Sequence, residues 1–180
     1  MKELGLTINF SPIVESRNNV WPGRSFTGTL EEIKVKIKYY IRGLQENGII
    51  ATAKHYPGGS MIEDPHIQTY KTEIYKEDLE LFDVAINEKV KAIMVGHPIV
   101  FGAINSFGRP SSLSKEVISH LRKSFFGLII TDSIDMEGIR KFYESGLENI
   151  YKDLIIAGND MIIDIINEND DFQIEKVKKK

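Results

Sequence analysis

The sequence predicts an α/β fold, a partial (β/α)8 TIM-type barrel, on three observations. Short apolar runs alternate along the chain with segments whose apolar residues recur at helical spacing. Polar residues end several of those runs, as in a barrel whose site draws on many strand ends. No glycine-rich phosphate fingerprint favours the alternative, a doubly wound open sheet. Gly58-Gly59 follows Pro57 in a loop and has neither the spacing nor the immediate helix. A complete barrel takes about 250 residues, so the 180 residues here fall short by β-α units.

The elements read in order. Leu6 to Phe10 forms a strand, followed by a polar loop through Arg24. Thr29 and Glu32 have capping-box spacing and open a helix whose apolar face is Ile33, Ile37, Tyr40, Ile41 and Leu44, with Gly48 as its stop. Ile49 to Ala53 is a second strand ending at Lys54-His55, and a long polar loop runs from Tyr56 to Lys71. Tyr75 to Glu88 is a helix, and Ala92 to Val95 a strand ending at Gly96-His97. Ser114 caps a helix carrying Val117, Ile118 and Leu121. A strand then ends at Asp132, a helix spans about 147–157, and Met161 to Ile163 is the last strand. Residues 1–180 form one partial barrel domain, of which 173–180 are a charged, solvated tail.

Composition narrows the function. With 42% hydrophobic and 27% charged residues the chain has the make-up of a globular domain with one core. A net charge of −3 argues against nucleic-acid binding through a basic surface. No cysteine is present, so there is no disulfide frame and no thiolate metal site, which fits a reducing compartment. No apolar run reaches the length of a membrane span, and the N-terminus lacks a signal-peptide shape. The expected location is cytoplasmic.

The chemistry-bearing residues gather at strand ends. Gly127 to Met136 is an apolar run stopped by a carboxylate, Asp132. In parallel α/β folds that is where catalytic groups sit, although an Asp there also suits the N-cap of a following helix. Lys54-His55 and His97 end neighbouring strands. Each alone reads equally well as a solvated turn or a core histidine; recurrence at successive strand ends is the signal. In the long loop, Asp64 stands two residues before His66, so its carboxylate can accept the imidazole N–H and orient the ring. The histidines are spread too far apart for a metal box, and neither a metal nor a cofactor is expected.

These motifs resemble glycoside hydrolase family 3, in particular its bacterial β-N-acetylglucosaminidase branch. Lys54-His55-Tyr56-Pro57-Gly58 is similar to that family's lysine-histidine-aromatic-proline-glycine motif. Asp64-Pro65-His66 resembles its aspartate-x-histidine loop, and Gly23-Arg24-Ser25-Phe26 its arginine-serine-phenylalanine motif. Met94 to His97 with Pro110 to Ser114, Gly127 to Met136, and Ala157 to Met161 match the later strands in order.

The resemblance implies a retaining glycosidase that removes terminal β-linked N-acetylglucosamine from cell-wall or chitin-type saccharides. Asp132 would be the nucleophile, and His66, paired with Asp64, the acid and then base. Arg24, Lys54 and His55 would hold the sugar hydroxyls. A histidine at the acceptor side would also tolerate an anionic acceptor such as phosphate. Three departures from the family pattern stand out. Gly59 replaces a histidine found in many relatives, Ser133 replaces a second aspartate, and the chain starts partway into the barrel. The last leads to the expectation that the chain self-associates or needs a complementing N-terminal barrel segment. Asp64 and His66 share a long loop with glycines at its base, so the dyad is expected to be mobile and to close on substrate. A truncated, non-catalytic sugar-binding or vestigial module and a β-glucosidase of the same family are the rival readings.

Overall fold

In the computed structural model, residues 1–143 and 148–165 are described. The charged tail and the first residue expected of the 147–157 helix lie outside them.

The core of the molecule is a five-stranded, all-parallel sheet, curled like half a barrel. Its strands are β1 (Ile8–Asn9), β3 (Ile50–Tyr56), β6 (Ala92–Val95), β8 (Leu128–Ser133) and β9 (Met161–Ile163), hydrogen-bonded in that order. Register is fixed by pairs such as Ile8 with Ile50, Thr52 with Ala92, and Ala92 with Leu128. All four residues of β6 are buried, the all-apolar pattern of a parallel strand covered on both faces.

Helices α1 (Leu30–Glu46), α2 (Lys76–Asn87), α3 (Lys115–Arg122) and α5 (Glu148–Ala157) join the strands, with the short α4 (Glu137–Arg140) following β8. The capping box expected at Thr29 is present: the Glu32 N–H reaches the Thr29 hydroxyl at 3.3 Å, and the Thr29 N–H reaches the Glu32 carboxylate at 2.8 Å. Ser114 accepts the Val117 N–H at the start of α3. Ile33, Ile37 and Ile41 of α1 and Leu81 and Phe82 of α2 pack with Ala51, Ala53 and Ile93 of the sheet in the main core. A second cluster, Leu113, Ile134, Ile139, Ile150 and Leu154, seals the β8–α5 side.

Two features depart from the sequence reading. The second strand does not end at Lys54-His55 but continues to Tyr56, so both residues project from within it. The stretch from Tyr56 to Lys71 is not simply a loop, and neither is the segment after β6. β2 (Arg17–Asn18) pairs with β4 (Ser60–Met61), and β5 (Lys71–Ile74) pairs with β7 (Ile99–Gly102), both in parallel. These ladders use the segments that leave the carboxyl ends of β1, β3 and β6, and they build a rim around that end of the sheet.

Candidate active site

Asp132 lies inside β8, and the next helix begins four residues after β8 ends, with Met136 as its N-cap. It therefore does not serve as a helix cap. One carboxylate oxygen accepts the Ser133 N–H at 2.8 Å, and the other faces His55 Nε2 at 3.5 Å. Burial pushes this carboxyl up. The opposing pull of His55, His97, the Ser133 N–H and Lys54 is stronger and holds it below the ordinary carboxylate value, so Asp132 is an anion at neutral pH.

His55 is gripped from its far side by Glu15. Its ring Nδ1 hydrogen-bonds Glu15 Oε1, and its backbone N–H donates to the same oxygen at 3.3 Å. The imidazole thus bridges two carboxylates. Glu15 is only 4% exposed and was not singled out by the sequence reading. Its segment is tied down locally: the Val14 N–H bonds the Lys54 carbonyl, and the neighbouring Ser16 hydroxyl donates to buried Asp78 at 2.8 Å. Asp78 also accepts the Tyr75 N–H at 2.9 Å, which locks this segment to the start of α2. The signal available in sequence was an acid placed directly after Ile13-Val14.

Lys54 is half-buried beside these groups. Burial lowers its pKa, with Arg24 adding to the effect and Asp132 and Glu15 opposing it. His97 is buried and neutral in character. Desolvation depresses its pKa, Nε2–H donates to the Ser133 carbonyl at 3.0 Å, and Nδ1 faces the Ser112 hydroxyl at 2.8 Å. It braces the end of β8 at the edge of the cleft.

The Asp64–His66 pair forms as the spacing suggests. Asp64 Oδ1 lies 2.7 Å from His66 Nδ1 and accepts the His66 backbone N–H at 2.9 Å. Burial raises the Asp64 pKa, and the His66 N–H, ring and charge more than offset it. The His66 ring stands edge-on to Trp21 at 5.6 Å, and the Arg24 guanidinium lies 5.1 Å from the centre of the same indole. Trp21 thereby links the dyad to Arg24, a connection with no sequence signature. The loop is not free-standing, because it is hydrogen-bonded to the turn after β8.

One cleft is lined by Glu15, His55, Pro65, Tyr70, His97 and Asp132. The structure thus gathers Lys54, His55 and Asp132 at the strand ends and places Asp64, His66 and Arg24 together around Trp21 at the rim. Gly59 also borders the cleft. A Cβ there would lie 2.8 Å from Ile74 Cδ1, so β5 fills the space a side chain at this position would take. Among the described residues, no group of three or more histidines and acids is placed to hold a metal ion.

The curled parallel sheet thus carries an anionic aspartate at a strand end and an Asp–His pair on an adjoining loop. The Glycosyl hydrolase family 3 N terminal domain profile matches residues 1–180, and the chain belongs to that family. A β-hexosaminidase from Idiomarina loihiensis is 27% identical over 91% of this chain and 51% of its own length. A β-N-acetylglucosaminidase/β-glucosidase from Cellulomonas fimi is 26% identical over 95% of this chain and 34% of its own. The crystal structure of a family 3 glycosyl hydrolase from Mycobacterium smegmatis superposes with a TM-score of 0.79, at 28% identity, over 91% of this chain and 54% of that one. A family 3 β-N-acetylglucosaminidase from Paenibacillus also gives 0.79, at 30% identity, over 91% of this chain and 33% of that one. The chain spans about half the length, or less, of these relatives. No helix among the described residues is long and apolar enough to cross a membrane.

Proposed function

We propose that this chain forms the nucleophile-bearing part of a retaining glycosidase that removes terminal β-linked N-acetylglucosamine from cell-wall or chitin-type saccharides, in the service of peptidoglycan recycling. Asp132 attacks the anomeric carbon as the glycosidic C–O bond breaks through an oxocarbenium-like transition state, giving a glycosyl–Asp132 ester. His66 donates a proton to the departing oxygen, then takes one from the water that attacks the ester and frees Asp132. Arg24, Lys54 and His55 hold the sugar hydroxyls, so that attack is effectively intramolecular.

The observation that carries this reading is the state of Asp132: a largely buried carboxylate, kept ionised and fixed between His55 and the Ser133 N–H at the end of an interior strand. The hexosaminidase relatives support the choice of sugar. A second reading, β-glucosidase activity, is favoured by the dual name of the Cellulomonas fimi relative. Two accompanying proposals concern assembly and location. Leu6 and Phe10 flank β1, and Met161 lies in β9; all are exposed at the two outer strands of the sheet. They support self-association, or pairing with a complementing barrel segment. The cysteine-free composition supports a cytoplasmic location.

The test is covalent trapping. A mechanism-based fluorosugar labels Asp132, read by peptide mass spectrometry, and Asp132→Ala lowers turnover of an aryl N-acetylglucosaminide by at least about 10,000-fold. Labelling of another residue, with the variant still active, overturns the assignment. Parallel assays with aryl glucosides decide between the two sugars, and activity towards neither, with the complementing barrel segment present as well as without it, leaves the non-catalytic module as the answer.

A further inference from the structure

The loop carrying Asp64 and His66 is seated on the turn that leaves the Asp132 strand. The Glu137 N–H donates to the His66 carbonyl at 3.2 Å, and the Gly138 N–H to the Pro65 carbonyl at 3.0 Å. In the other direction, the Thr69 hydroxyl donates to the Gly138 carbonyl at 2.9 Å. The Lys141 ammonium reaches the Ile67 carbonyl at 3.0 Å. The turn itself is anchored, because Ile139 is fully buried in the cluster with Ile134 and Leu113.

The approach of the two backbones leaves no room for a side chain at position 138. A Cβ there would stand 2.8 Å from the Pro65 carbonyl oxygen and 3.3 Å from that of Gln68. Both obstacles are main-chain atoms of the dyad loop, so neither can rotate aside. Gly138 does not adopt the left-handed conformation. Its lack of a side chain therefore serves close approach and not backbone freedom.

We propose that Gly138 is a positioning residue for the acid/base dyad. By admitting the Pro65 carbonyl, it fixes the Asp64–His66 loop to the segment that follows Asp132, so that the nucleophile and the proton donor are held in one register. This rests on the roles given to Asp132 and His66 above. It adds that their spacing is set by a backbone-to-backbone seat in which a single methyl group displaces the donor.

The experiment compares Gly138→Ala, Thr69→Val and His66→Ala in the full chain with aryl N-acetylglucosaminides of graded leaving-group ability. Gly138→Ala lowers kcat/KM about 100-fold for poor leaving groups. It costs less than about threefold for dinitrophenolate, which needs little protonation. Thr69→Val adds no bulk, removes one bond of the seat, and shifts the profile in the same direction by a smaller factor; it carries the test if the alanine variant does not fold. A uniform loss across the series, or no loss, overturns the proposal. If His66→Ala itself shows no dependence on the leaving group, the acid role fails separately. The seat is then judged by hydrogen exchange: the Glu137 and Gly138 amides are protected in the unaltered protein and lose protection in Gly138→Ala, while Ile129 and Ile130 keep theirs. Unprotected amides in the unaltered protein overturn the seat.

Discussion

Asp132 and His66 are the two groups proposed to react, and the chain holds them by opposite means. The Asp132 side chain is 18% exposed, sits on an interior strand, and is flanked by buried partners. The His66 side chain is 53% exposed, sits on a loop, and its ring contacts are Asp64 and Trp21. The difference follows from what each group must do. A nucleophile needs a fixed direction and a settled charge, which burial among oriented partners supplies. A proton shuttle gives its proton to the leaving group and takes one back from the water that enters next, so it gains from a place at the solvent-facing rim, and its placement is left to hydrogen bonds on its loop. Rigidity of the strand and seating of the loop are two solutions to one positioning problem.

That contrast can be broken most visibly at the loop. His66→Ala should lower kcat/KM by about 100-fold or more with poor leaving groups and hardly at all with activated phenolates. A leaving-group series with steady-state kinetics checks it, and equal losses throughout would place His66 outside proton transfer.

The strand side is probed through Glu15. Glu15→Gln keeps the volume and removes the charge that grips His55. A charge-assisted hydrogen bond of this kind contributes about 1.5–3 kcal/mol, so kcat/KM should fall roughly 10- to 100-fold across all leaving groups alike. The uniform loss is the point: it separates a partner of the nucleophile from a partner of the acid. A Gln variant with full activity would mean that β3 and β8 alone fix Asp132.

The smallest effect concerns His97. Its folded-state pKa lies below the ordinary 6.5 because of burial. The unfolded chain therefore binds a proton more readily than the folded one. Stability is fully present above about pH 6.5 and is lost progressively as pH falls from there towards the depressed value, by at most about 1.4 kcal/mol per pH unit for one proton. Denaturant unfolding at pH 7.5 and 5.5 should show a smaller pH difference in His97→Asn than in the unaltered chain. The same difference in both would assign the acid sensitivity elsewhere.

Much of this was legible in the sequence because it is written locally. Thr29 and Glu32 announce the start of α1, the apolar run at 128–130 announces β8, and Asp64 stands two residues before His66, close enough for the pair to form. What escaped is held by partners far along the chain. The carboxylate of Glu15 meets His55 forty residues later. Lys71–Ile74 pairs with Ile99–Gly102 in parallel, a register that neither segment carries alone. Trp21 finds His66 only because two rim segments fold over the same end of the sheet. His97 ends its strand as read, yet its hold on the end of β8 depends on Ser112 and Ser133, which no local pattern couples to it.

The order of the sheet carries one more consequence. Its strands, β1, β3, β6, β8 and β9, lie side by side in the order in which they occur along the chain. As the polypeptide leaves the ribosome, each new strand finds its neighbour already made, and no earlier strand must wait for a later one to be inserted beside it. The growing edge is always the most recently synthesised one. The carboxylate of Asp132 therefore arrives only after Glu15, His55 and His97 have been synthesised, and it enters a setting of charge laid down in advance.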